Sequence, residues 1–228
     1  MRRKNINMNK DKNSDPIKRF VEKESSEEYS PMEPPDAFSP PALDEVEYEQ
    51  MNSVLKNFMD EHKACLKKLD MFEETLNKIR INGFSAQKEV SGALSEFFQF
   101  VDNNIRTHNL KEEKFLFPLL NQRYIEKGEH STGPEKTNAV DMLEDDHIKF
   151  IQIAAITFTM FGLAGRLPDQ SSRLVILDIA LEQGKQMVEM LRLHIFREDK
   201  IVFPFAQLNL TNNEFAEMSS NMDRFSPH

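Results

Sequence analysis

Four histidines and two glutamates of this chain recur at fixed spacing. His108 stands four residues before Glu112, and His194 stands four residues before Glu198. The two segments align 86 residues apart, matching His108 with His194, Glu112 with Glu198, Lys114 with Lys200, and Phe117-Pro118 with Phe203-Pro204. Upstream, Asp60-Glu61-His62 resembles Asp145-Asp146-His147, 85 residues on. Each half thus carries a lone histidine and, about 46 residues later, a His-x-x-x-Glu. On an α-helix residues i and i+4 share a face, so each motif can aim an imidazole and a carboxylate at one interior point. The candidate metal ligands are His62, His108, Glu112, His147, His194 and Glu198. Four imidazoles and two carboxylates suit iron, with manganese or zinc less favoured. Carboxylates can bridge two cations, and six residues do not saturate two octahedral ions. Positions are left for water, dioxygen or another small ligand. One His-x-x-x-Glu arises by chance in a Glu-rich helical chain; two copies with Phe-Pro at the same distance are much stronger evidence.

The neighbours Glu61, Glu113, Asp146 and Asp199 point about 100° away from the ligands on a helix. They read as outer hydrogen-bond acceptors that fix imidazole tautomers, or as solvent-facing charges. His130 lies in a Gly-rich loop and His228 at the terminus, and both read as solvated. Cys65 is the only cysteine, so an internal disulfide or a Cys-rich zinc site is excluded, and it reads as a buried small hydrophobe. Phe97, Phe98, Phe115, Phe117, Phe158, Phe161 and Phe203 read as core that also walls off the centre.

The elements that must hold these residues are helical. From about residue 43, Met51, Leu55, Phe58, Met59, Cys65, Leu66 and Leu69 recur at spacings of three and four, up to a stop at Asn82-Gly83. Ser85 can cap a second helix carrying Val90, Leu94, Phe97, Phe98, Val101 and Ile105, which either kinks past Pro118 or stops there. Residues 126–134 read as a loop. A third helix is expected over roughly 135–164, a fourth over 169–208, and a short terminal one after the Thr211 cap. Four long helices with short loops make an antiparallel all-α bundle the default for residues 43–210, followed by a short helix and tail over 211–228. Residues 1–42 are rich in Lys, Glu, Asp, Ser and Pro and read as a disordered tail, with room for a short helix at 16–23. The tail is solvated, or a docking arm for a protein partner.

The lone His, the His-x-x-x-Glu with its Leu-Phe-Pro-type ending, and the repeat of the whole unit resemble the hemerythrin family, specifically its HHE cation-binding branch. The resemblance covers about residues 45–208. It implies an up-down-up-down four-helix bundle around two iron ions in an oxo- or hydroxo-bridged di-iron centre. Glu112 and Glu198 would be the bridging carboxylates, and His62, His108, His147 and His194 the terminal ligands. Oxygen-carrying members have a fifth histidine where this chain has Ile151, and an aspartate where it has Glu198. That departure argues against simple oxygen transport and fits the branch linked to dioxygen, nitric oxide, peroxide or iron.

The net charge of −9 speaks against a general nucleic-acid binder. No apolar run follows the basic N-terminus, and the most apolar stretch, Phe150 to Gly165, reads as too short to span a bilayer. The chain is expected to be soluble and cytoplasmic. Two functions follow: a di-iron protein that binds, senses or reduces a small oxidant, or an iron-binding module for homeostasis or storage without turnover. An empty structural bundle would bury four imidazoles and two carboxylates at high cost. Because ligating imidazoles must be neutral, iron loss is expected as pH falls through the imidazole range.

Overall fold

A computed structural model describes residues 46–83 and 87–225. The 1–42 tail, the short helix at 16–23, the Ser85 cap and His228 lie outside them. All regular structure among the described residues is helical.

Helix α1, Ser53–Asn82, begins ten residues later than the apolar spacing suggests. A 3-10 turn at Tyr48–Gln50 and an extended Met51 precede it, and the Asn52 side chain accepts from the Val54 N–H. Gly83, at φ 65°, ends it. Helix α2 runs over 87–127 without a break. It comprises Gln87–Phe100, a π turn at Val101–Ile105, Arg106–Lys111, a second π turn at Glu112–Leu116, and Phe117–Lys127. Helix α3 is Ala139–Ala164, shorter at its start than expected because Asn138 and Asp141 form a reciprocal cap there. Helix α4 covers 170–209, as Gln170–Arg197, a π turn at Glu198–Val202, and Phe203–Asn209. Helix α5, Asn212–Asp223, carries the expected Thr211 cap, completed by Glu214.

The chain neither stops at Pro118 nor breaks at Pro204. Proline lacks an N–H and its ring crowds the carbonyl four residues back. Here the preceding turn is widened instead: the Phe117 N–H reaches five residues back to the Glu112 carbonyl, and the Phe203 N–H to that of Glu198. The α-geometry of each His-x-x-x-Glu is preserved up to its glutamate.

Helices α3 and α4 share the broadest contact; α1 packs on α2 and α4, and α2 on α3. Two apolar clusters fill the bundle. One includes Leu69, Phe72, Phe97, Phe150 and Ile195; the other includes Phe58, Leu116, Phe117, Leu143 and Phe203. On each long helix the change from one cluster to the other falls at a candidate ligand: His62, His108 with Glu112, His147, and His194 with Glu198. The polar centre is a belt between two greasy ends.

Two expectations change. Phe158 is 59% exposed rather than core, beside exposed Ile148, Ile151 and Ile156. Helix α3 is apolar nearly all round, so its sequence pattern does not tell its inner face from its outer one. The apolar run is also longer than read from residues 150–165: the 26-residue α3 has the length and apolarity to cross a membrane. Its inward face, though, carries buried His147 and packs on α4.

Phe72 stacks on Phe97 at 3.9 Å in the cluster away from the belt's other end. Phe72→Ala is expected to cost about 3–5 kcal/mol in thermal or denaturant unfolding, while the number of cations bound per folded chain stays the same.

Candidate metal centre

All six candidate ligands are buried, Glu112 and Glu198 completely. They converge in two overlapping quartets: His62, His108, Glu112 and Glu198, and Glu112, His147, His194 and Glu198. In the first, His62 Nε2 and His108 Nε2 are 3.0 Å apart; in the second, His147 Nε2 and His194 Nε2 are 3.1 Å apart.

Each carboxylate reaches both pairs. Glu112 places Oε1 3.4 Å from His108 Nε2 and Oε2 3.5 Å from His147 Nε2. Glu198 places Oε2 3.2 Å from His62 Nε2 and Oε1 3.2 Å from His194 Nε2. At these angles none of the four oxygens accepts a hydrogen bond.

The outer nitrogens explain why. His108 Nδ1–H donates to Glu61 at 2.7 Å, His147 Nδ1–H to Glu113 at 2.7 Å, and His62 Nδ1–H to Asp199 at 2.8 Å. An ionised carboxylate has no proton to give, so these Nδ1 atoms carry the hydrogens. In neutral imidazoles the Nε2 atoms are then bare lone pairs. Lone pairs facing buried carboxylate oxygens repel unless a positive charge stands between them. The spacing fits a metal: two nitrogens roughly 2.1 Å from one ion, at right angles, lie roughly 3 Å apart. The donor set and its geometry fit two cations sharing two carboxylates.

The four outer acids follow a cyclic rule. Glu61 of α1 serves His108 of α2, Glu113 of α2 serves His147 of α3, Asp146 of α3 approaches His194 of α4, and Asp199 of α4 serves His62 of α1. Asp146 stands 3.6 Å from His194 Nδ1, beyond hydrogen-bond reach, and is engaged instead by Arg197 at 3.0 Å. The sequence marks these acids as neighbours of the ligands but does not say which imidazole each meets.

A further role was hidden in the repeat. Phe203 lies flat against His62 at 5.5 Å and Phe117 against His147 at 5.6 Å. The phenylalanine of each Phe-Pro therefore braces the lone histidine of the other half. Its identical place in both repeats was the available signal.

A cavity of about 160 Å³ reaches the first quartet. Cys65, Phe100, Leu191 and Ile195 line it with His62, His108 and His194, and Ala64, Asn103, Asn104 and Lys111 line its outer part. The Cys65 thiol is pushed up to about 12 by burial and by Glu198, so it stays protonated. His130 is half-buried, and its Nδ1–H donates locally to the Ser131 carbonyl at 2.9 Å.

The family pattern described as Hemerythrin HHE cation binding domain matches residues 53–206. No curated protein sequence matches the chain.

Protons and cations compete for the same nitrogens. Burial alone would lower the imidazole pKa values, but the carboxylates outweigh it. Asp199 and Glu198 hold His62 at about 10, Glu112 and Glu61 hold His108 at about 9, and Glu198 and Asp146 hold His194 at about 10. A raised imidazole pKa gives stability that is complete below about 6.5 and lost as pH rises through the folded value. The chelator-treated chain is therefore expected to lose thermal stability as pH climbs through about 9–10. Because uptake releases these protons, affinity for Co(II) is expected to rise between about pH 7 and pH 9. The window lies above the ordinary imidazole range. Measured affinities that do not change across it would contradict the proton competition.

Proposed function

This chain belongs to the hemerythrin HHE cation-binding family, and we propose that it is a di-iron protein that binds, senses or reduces a small oxidant such as dioxygen, nitric oxide or peroxide. The observation that supports this most is the division of labour in the centre. Each carboxylate offers one oxygen to each histidine pair, and the two pairs are alike in spacing. In this reading the four long helices run up-down-up-down and antiparallel. His62 and His108 would hold one iron and His147 and His194 the other, with Glu112 and Glu198 shared between them. The expected cytoplasmic setting goes with it.

Bound iron would supply one-electron chemistry toward a small oxidant. The chain's own residues do the rest. The two apolar clusters exclude water from the belt and lower the local dielectric. Asp199, Glu61 and Glu113 hold the protons of His62, His108 and His147 at Nδ1, so that Nε2 faces inward. The cavity beside His62 and His108 gives a small molecule room at the first quartet, against the uncharged Cys65 wall.

Elemental analysis of the purified chain is expected to give about two irons, with visible absorption bands that change on adding dioxygen, nitric oxide or peroxide. His108→Ala/His194→Ala should lose the iron. Cys65→Phe, which fills the cavity, should keep the iron but respond at least about tenfold more slowly, since access is set by free volume. A colourless iron protein inert to all three ligands would sink the oxidant reading and leave the iron-holding one.

A further inference from the structure

We infer that Lys111 and Arg197 are positioning residues of the two cation sites, Lys111 holding Glu61 against His108 and Arg197 holding Asp146 beside His194, short of a hydrogen bond to its Nδ1; this rests on the reading of the histidine pairs as cation sites. Both lie three residues after a histidine of the duplicated motif and one before its glutamate, and they are 86 residues apart, like the ligands. Lys111 Nζ donates to Glu61 Oε1 at 2.8 Å, while Glu61 Oε2 accepts from His108 at 2.7 Å. Arg197 Nη1 donates to Asp146 Oδ2 at 3.0 Å, and the same oxygen stands 3.6 Å from His194 Nδ1.

The residue types differ between halves, yet the line of cation, carboxylate and imidazole recurs. Glu61 is long enough to give one oxygen to each partner. Asp146 is one methylene shorter and presents a single oxygen to both, and the forked, longer Arg197 comes in to meet it. The other two outer acids lack such a partner: among the described residues, Glu113 and Asp199 form ion pairs only with His147 and His62. The clamp is thus confined to the imidazoles of the two His-x-x-x-Glu motifs.

Glu61 shows why a clamp is useful. Its side chain is 41% exposed, so water competes for it. Occupying Oε1 with Lys111 leaves Oε2 for His108 and keeps that ring's Nε2 turned inward. Charge also closes. Two dications would balance the two inner and four outer carboxylates taken with the two clamping side chains.

The test is anaerobic titration of the full chain with Co(II) against a competing chelator, following the visible bands. Lys111→Gln is expected to weaken one of two Co(II) equivalents by about tenfold, the lower end of losses at outer partners of metal ligands, and to shift its band. Lys111→Arg should restore both. Arg197→Gln should do the same to the other equivalent, with partial rescue by Arg197→Lys, whose single, shorter-reaching ammonium keeps the charge but not the fork. Thermal unfolding of the chelator-treated variants should match the parent, which separates positioning from folding. Parent-like binding by both glutamine variants, or equal losses in the glutamine and conservative variants, would overturn the clamp alone. A parent chain that takes up no Co(II) would overturn the cation reading, and the clamp with it.

Discussion

Two carboxylates, Glu112 and Glu198, sit completely buried between two apolar clusters with no hydrogen bond to any of their four oxygens. A buried anion left in that state is costly, and the surrounding residues answer that cost in charge. Four imidazoles face the two anions. Their protons are drawn outward by Glu61, Glu113 and Asp199, with Asp146 near the fourth. The arrangement is complete only when positive charge lies between the glutamates and the Nε2 atoms. Protons can supply it, which is why His62, His108 and His194 titrate so high. Metal ions would supply it too, since two nitrogens about 3 Å apart suit one ion.

The helices are shaped by the same requirement. A histidine and a glutamate four apart need regular α-geometry, and the Phe-Pro that follows needs a different turn. The π turns at Glu112–Leu116 and Glu198–Val202 reconcile the two, and they let Phe117 and Phe203 lie against the lone histidines. The polar belt thereby gains a flat apolar support on each side without a further polar residue.

The clustering of the six candidate ligands was legible in the sequence because duplication supplied its own control: three residues of one half recur as three of the other, at offsets of 85 and 86. The helices were legible from apolar spacing, apart from ends set by side-chain caps such as Asn52 and Asn138. The cyclic use of the outer acids was not. Glu61 and Asp199 point some 100° off the ligand face, and the imidazole each one meets depends on which helix lies alongside. The exposed Phe158 was misread because α3 is apolar on nearly every side, so its periodicity carries no direction. The bracing by Phe117 and Phe203 looked like ordinary core, since stacking on an imidazole and packing on a leucine use the same residue type.

The most direct test of the paired centre is X-ray absorption at the iron edge of the iron-loaded chain. A first shell of nitrogen and oxygen with a second iron within about 4 Å is expected, since carboxylates shared by two ions would hold them that close. A sulfur-containing shell, or a single iron with no metal neighbour at full loading, would contradict the account.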